Sequence, residues 1–252
     1  MKAYVTLLST DWYMDGTLCL YQSLKEVESR YPLVVAISSE ISQENRNILE
    51  KLGIEYIILE DFSFSKECRE MLYAMGAENW AETALKLRIF GLTQFEKIVY
   101  LDSDLLILKN IDELFDREHL TAAQDSPMIF PDKDHKLLNA GLMVIEPSKK
   151  IEEDLIEIAK NANMQDQDII RSYYPNWLKQ RKLHLPITFN IFAPFITSYL
   201  AQGVKEKDIR VLHFIGKQKP YNSSEDILSN NLISKYNRQY LSYIFQARQK
   251  LD

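Results

Sequence analysis

The stretch KIVYLDSDLLILKNIDELF, Lys97 to Phe115, sets a pair of carboxylates between two apolar runs. Ile98 to Leu101 is short, β-branched and aromatic, the composition of a fully buried strand. It stops at Asp102-Ser103-Asp104, and apolar residues resume at once with Leu105 to Leu108. Desolvating charge between two apolar runs is costly unless something compensates it. Two carboxylates at i and i+2, at the carboxyl end of a buried strand, can close on one hard divalent cation whose other ligands are water and phosphate oxygens. In an open α/β sheet, that end of the strands is where ligands bind.

Two other readings fit the same residues. Asp-x-Asp alone is most often a solvated turn; the apolar runs on both sides set this one apart. A phosphatase of the haloacid-dehalogenase type also carries an apolar strand followed by Asp-x-Asp, with Asp102 then the nucleophile. In those enzymes the motif stands near the chain start, and Thr or Val follows the second aspartate. Here Leu105 follows it.

With 252 residues, 46% of them hydrophobic, the chain can bury a full core as one large domain or two small ones. A net charge of −6 argues against nucleic acid or an anionic membrane surface as the main partner. It leaves open a phosphate-bearing small molecule, for which a local patch or a metal suffices. Cys19 and Cys68 fit no metal-ligand spacing, and a reducing compartment is the simpler expectation. MKAYVTLL is too short for a signal peptide, and no apolar stretch is long enough for a bilayer. The expectation is a soluble, cytoplasmic protein.

Along the chain, Ala3 to Leu8, Leu33 to Ile37 and Glu55 to Leu59 read as strands. They alternate with helices from about Gly16 to Tyr31-Pro32 and from Ser42, as N-cap, to Leu52, with Gly53 as the left-handed stop. That spacing predicts a Rossmann-like parallel half. Asp61 to Asn79 reads as a loop with one short helix, and Trp80 to Phe90 as a helix. On it Lys86, taken alone, reads as a solvated partner of Glu82. Ala122 to Asp125 reads as a strand and Ser126 to Lys136 as a polar loop. Leu137 to Ile145 is an apolar run broken by Asn139-Ala140-Gly141, marking either a bulge or the close approach of a ligand or another backbone. Helices follow from Ser148 and from Met164 to Tyr174. At most one of Asp166 and Asp168 shares the inward face of the second. Leu183 to Ile191 and Ile209 to Ile215 read as strands, with a short helix over Pro194 to Leu200 between them. The later strand carries His213 and runs into Gly216-Lys217-Gln218-Lys219-Pro220. A lone strand histidine is usually a core residue, but one followed by glycine and two lysines suits a diphosphate and a metal. The tail from Ser224 to Gln249 reads as a helix.

Several of these segments, in this order, resemble the glycogenin-like catalytic domains of glycosyltransferase family 8. The match is carried by FEKIVYLDSDLLILKNIDELFD, NAGLMVIEPS, Asp166-Gln167-Asp168, HLPITFN, VLHFIGKQKPYN, the N-terminal YVTLLSTDWY and Ala84 to Leu87. The resemblance implies one catalytic domain over residues 1–252 with the GT-A fold: a single Rossmann-like nucleotide-binding α/β domain, its mixed, mostly parallel sheet flanked by helices. It implies a retaining transferase using UDP-glucose and Mn²⁺, an acceptor hydroxyl on sugar, glycan or protein, and a homodimer. By motif position, Asp102, Asp104 and His213 would bind Mn²⁺, with Ser103 at the nucleotide. Leu7, Ser9, Thr10 and Tyr13 would form the uridine loop. Gly216 and Lys219 would hold the diphosphate, and Lys86 would stand near the phosphates or sugar. Asn139, Ala140, Asp166 and Gln167 would hold the sugar.

The sequence also departs from the family pattern. An arginine that would stand nine positions before Lys86 is Ala77, and an acidic position three before Asp166, at the sugar, is Asn163. The tyrosine that accepts the first glucose in glycogenin-like enzymes falls at Thr197, with Tyr199 close by. Three alternatives remain open at this level: a galactosyl donor, the Asp102-nucleophile phosphatase, and a scaffold that binds a nucleotide sugar without turning it over.

Overall fold

The computed structural model describes residues 1–74, 82–131, 136–222 and 231–251. Strands β1 (Lys2–Leu8), β2 (Leu33–Ile37) and β3 (Glu55–Ile58) alternate with helices α1 (Met14–Glu26) and α2 (Gln43–Lys51). After α3 (Lys66–Ala74) and a 3₁₀ helix over Glu82–Gly91 come β4 (Lys97–Leu101) and β5 (Leu105–Ile107). Then follow β6 (Ala122–Gln124), β7 (Leu138–Ile145), α4 (Lys149–Asn161), α5 (Asp166–Tyr173), β8 (Ile191–Phe192), α6 (Ile196–Ala201), β9 (Val211–His213) and α7 (Leu232–Arg248).

The larger sheet has the order β3-β2-β1-β4-β7-β6. Its first four strands are parallel, and β7 runs antiparallel to both β4 and β6. Both faces are covered. Along β4, Ile98 and Tyr100 join the core beneath the 3₁₀ helix and α4, while Val99 and Leu101 join the core beneath α1 and α2. This two-sided burial is why the strand shows an unbroken apolar run instead of alternation. The smaller sheet, β5-β9-β8, pairs Leu105 with His213 and Phe192 with His213. Asp102-Ser103-Asp104 is therefore the corner at which the chain leaves one sheet for the other.

Several expectations are corrected. The first helix ends at Glu26, short of Tyr31. Glu28 turns left-handed at φ 54°, and its N–H and that of Ser29 close on Lys25 and Leu24 at 3.0 and 3.1 Å. Buried Asp112 holds the exit, accepting from Ser29 Oγ at 2.9 Å and from the Arg30 N–H at 3.1 Å. Leu183 to Ile191 is not a strand. Pro186 has no N–H to give a ladder, and the segment folds into 3₁₀ turns before β8. The described part of the Trp80–Phe90 helix is 3₁₀, not α. The long tail helix appears as α7, capped by Asn231 accepting from the Ser234 N–H at 2.8 Å; Ile227 lies outside the described residues. Other readings hold: Ser42 caps α2 and Gly53 takes φ 66°. Among the described residues no helix is long and apolar enough to cross a membrane. Cys19 and Cys68 are buried and free.

Candidate active site

The site forms where the carboxyl ends of β1 and β4 meet the corner into the second sheet. Asp102 closes the β4–β7 pairing, its N–H donating to the Gly141 carbonyl at 2.8 Å. Two residues on, Phe214 N–H donates to the Asp104 carbonyl at 3.0 Å, tying the corner to the end of β9. Those two backbone bonds present both carboxylates to His213. Its Nε2 lies 3.2 Å from Asp104 Oδ1 and 4.0 Å from Asp102 Oδ2. One ligand atom from each of the three residues falls within 4.8 Å of the others. Gly141 permits this approach: a Cβ there would stand 2.7 Å from His213 Cε1 and 3.1 Å from Asp102 Oδ2. Both readings of the Asn-Ala-Gly break are realised: Gly141 gives the close approach, and across the same residues the β6–β7 pairing shifts register, from Ala122 on Met143 to Ala123 on Asn139.

Two buried lysines flank the triad. Lys219 reaches Asp104 Oδ2 at 2.7 Å and also donates to the Phe214 carbonyl. Lys86 bridges Asp102 Oδ1 at 3.1 Å and Asp166 Oδ2 at 2.8 Å. The reading of Lys86 as a solvated surface lysine is overturned, since it is 5% exposed. The local geometry explains it. In a 3₁₀ helix residues i and i+3 eclipse, so Thr83 and Lys86 share an edge, and both reach Asp166, Thr83 at 2.8 Å. Burial alone would discharge Lys86, but Asp102 and Asp166 hold its ammonium well above the usual lysine range. Burial likewise opposes ionisation of Asp104, yet the Lys219 ammonium outweighs it and holds the carboxyl well below the ordinary range. Among the described residues, Asp104 Oδ1 is buried with no hydrogen-bond donor. An unsatisfied buried acceptor costs about 1–3 kcal/mol, more when charged. A cation bound between it and His213 Nε2 would remove that cost.

A cavity of about 100 Å³ lies among Leu7, Ser9, Tyr13, Lys86 and Asp102–Asp104. Thr10 is not among the residues lining it; its carbonyl accepts from the Tyr13 N–H at 3.2 Å. Buried Asp166 opens α5 and Asp168 faces Arg171, as the helical spacing requires. Gln167 Oε1 accepts from the Ala140 N–H at 2.9 Å, and Asn139 Oδ1 from the Gly141 N–H at 3.0 Å. Gly216 lies on the exposed turn before Lys219, lining a separate cavity of about 370 Å³. Asn163 is on an exposed bend ahead of α5. Ala77 lies outside the described residues. Tyr199 is fully buried with its hydroxyl on Ser126, whereas Thr197, at the expected acceptor position, is exposed.

A model of glycosyl transferase family 8 matches residues 4–225. The chain belongs to glycosyltransferase family 8. Human glycogenin-1 is 34% identical over 230 residues, 89% of this chain and 63% of glycogenin-1. Rabbit glycogenin-1 is 31% identical, over 93% of this chain and 69% of its own length. The chain thus spans less than two thirds of the human relative. The apo glycosyltransferase GlyE of Streptococcus pneumoniae superposes with a TM-score of 0.64 at 18% identity, over 99% of this chain and 64% of GlyE. The galactosyltransferase LgtC, solved with donor and acceptor sugar analogues, gives 0.61 at 15% identity, over 98% and 96%. These likenesses show the GT-A fold.

Family 8 membership removes the phosphatase reading. The site agrees, since Asp102 is held by Lys86 and by the Tyr100 hydroxyl at 2.6 Å instead of standing as a free nucleophile. Tyr100 was missed in the sequence, although residues i and i+2 of a strand share a face and so point the same way. Burial and Asp102 push its phenol well above the usual value, keeping it a donor. Thr83 and Asn190 were also missed. Thr83 carried no signal, because its role depends on the 3₁₀ geometry. Asn190 stands in the quoted HLPITFN segment, but nothing local ties it to His213.

Proposed function

We propose that this chain is a retaining hexosyltransferase that moves glucose from UDP-glucose to a hydroxyl acceptor, with Mn²⁺ held by Asp102, Asp104 and His213. The observation that carries the reading is Asp104 Oδ1, which among the described residues has no hydrogen-bond donor and faces His213 Nε2 at 3.2 Å, in a site with two buried lysine ammoniums. Two carboxylates and an imidazole suit Mn²⁺, with positions left for phosphate oxygens and water. When bound, the cation supplies Lewis-acid stabilisation of the charge that grows on the diphosphate as the sugar departs. Lys219 adds a fixed positive charge there, so the leaving group needs no proton donor. Leu7, Ser9, Thr10 and Tyr13 receive the uridine and Ser103 the nucleotide, while Gly216 joins Lys219 at the diphosphate. Lys86 fixes Asp102 relative to Asp166. Asp166 and Gln167 lie beneath the sugar, where a carboxylate or amide stabilises an oxocarbenium-like carbon. Asn139 and Ala140 border the same sugar, and Asn163 lies at its outer edge.

The first test is purified protein with UDP-glucose and Mn²⁺, read by released UDP and intact mass. No UDP release with any common UDP-sugar rejects the reading; tight UDP binding without turnover supports a binding scaffold instead. A ladder of hexose increments supports self-glucosylation, for which Thr197 offers an exposed hydroxyl. UDP-galactose is the second donor to try, because galactinol synthase 6 of Arabidopsis thaliana is 29% identical over 89% of this chain.

A further inference from the structure

Strand pairing fixes the backbone of His213 against Leu105 and Phe192, and the Phe192 ring meets the imidazole edge-on at 5.7 Å. Neither contact chooses which ring nitrogen carries the proton. That choice falls to a residue outside the proposed ligand set. His213 Nδ1 lies 2.8 Å from Asn190 Oδ1 in a fully buried contact. An amide oxygen only accepts, so Nδ1 bears the hydrogen, and a ring that ligates a cation must do so through the lone pair of Nε2. Nε2 is the atom that faces Asp104 at 3.2 Å and Asp102 at 4.0 Å. A lone pair set against carboxylate oxygens repels them unless a cation lies between. With a cation there, all three become ligands.

Asn190 is placed for this by the fold. It ends the 3₁₀ turn over Ile187–Phe189, its N–H donating to the Ile187 carbonyl at 3.0 Å, and β8 begins at the next residue. Its side chain is fully buried, and among the described residues its Nδ2 has no acceptor. The amide's one side-chain hydrogen bond among these residues is the one to His213.

We infer that Asn190 is a positioning residue of the cation site: by accepting the Nδ1 proton of His213 it fixes the tautomer whose Nε2 completes the site with Asp102 and Asp104. The inference rests on the cation reading above and adds a residue that does not itself touch the metal. Partners of this kind typically change metal affinity by roughly 10–100-fold when removed.

The test is Mn²⁺ binding without turnover, following the electron paramagnetic resonance signal of free Mn²⁺ with UDP present. Asn190→Ala is expected to weaken binding by about 10–100-fold. Asn190→Asp, which keeps an acceptor, is expected to stay close to wild type or bind more tightly. In a His213→Ala background, adding Asn190→Ala is expected to change the affinity little, because its effect passes through the ring. Wild-type affinity in Asn190→Ala, equal loss in Asn190→Asp, or an undiminished effect without His213 would each overturn the assignment. If Asn190→Ala fails to fold by circular dichroism, Asn190→Leu keeps the volume, removes the acceptor and carries the same expectation. Wild-type protein that binds no Mn²⁺ overturns the cation reading and this inference with it. Wild-type binding matched by Asn190→Ala overturns the inference alone.

Discussion

Lys86→Met is the sharpest probe of how the site is held together, because it removes one charge and leaves two carboxylates. Lys86 sits about 3 Å from each, at 2.8 Å from Asp166 and 3.1 Å from Asp102. At an effective dielectric of about 20, each contact is worth roughly 5–6 kcal/mol of Coulomb attraction. Several kcal/mol of that is offset by taking the ammonium out of water. Stripping one partner from a buried pair typically costs about 3–5 kcal/mol, through the charge left uncompensated. Asp166 is 8% exposed and takes most of this, whereas Asp102 is 25% exposed and water screens it. The lower end, about 3 kcal/mol, is therefore expected, a fall of about 6–12 °C in melting temperature for a chain of this size. Circular dichroism melts of metal-free protein measure it. Asp166→Asn in the Lys86→Met background removes the stranded charge and is expected to restore at least about 1 kcal/mol, although the same change destabilises wild type. The account fails if Lys86→Met melts within the scatter of wild type, or if Asp166→Asn costs the same in both backgrounds.

Three further outcomes are expected. Gly141→Ala drives a Cβ to 2.7 Å from His213 Cε1 and 2.9 Å from Asn139 Oδ1; transfer should fall by about two orders of magnitude or more with the far-ultraviolet spectrum unchanged, and near-normal turnover would show that the neighbours give way. Tyr100→Phe deletes a 2.6 Å bond to Asp102 Oδ1 that Lys86 still holds, so urea denaturation should show a loss of about 1.5 kcal/mol, and an unchanged midpoint would count against it. At Asp112 burial raises the carboxyl pKa, but the Arg30 N–H, Tyr4, Ser29 and Asn110 outweigh it and hold it below the usual value. That stability is present above the unfolded value of about 3.9 and is lost as pH falls through the folded one. Asp112→Asn should therefore be less stable than wild type at pH 7, with the gap narrowing as pH falls below the unfolded value; a gap that holds constant contradicts the assignment.

What could be read from the sequence follows from the range of each interaction. β1, β2, β4 and the Asp-x-Asp corner were legible because burial on both faces writes an apolar run that ends in charge, a signal held within a few residues. The Leu183–Ile191 strand was misread because β-branched composition says nothing about whether a partner strand is available. The first helix was drawn too long because its stop is Glu28, a left-handed residue that is not glycine. Asp112, far along the chain, holds the exit just beyond it by accepting from Ser29 and Arg30.

The same logic separates the parts of the site. Asp102 and Asp104 announce themselves locally. Lys86, read locally, belongs on the surface. Its burial follows only once α5 brings Asp166 across and the 3₁₀ winding aligns it with Thr83. The ligand-free site holds three carboxylates, Asp102, Asp104 and Asp166, against two ammoniums, Lys86 and Lys219. With Nε2 of His213 turned toward the acids, the imbalance is concentrated at Asp104 Oδ1, which among the described residues has no hydrogen-bond donor. A divalent cation there would reverse the local sign to net positive, which is what a departing diphosphate requires. Each lysine therefore has two duties. In the ligand-free site they hold the aspartates in place; under the proposed function their charges would also act on the bound donor. Replacing either with a neutral residue should weaken both the empty fold and the loaded enzyme, whereas Asn190→Ala should weaken the metal-loaded form far more than the empty one.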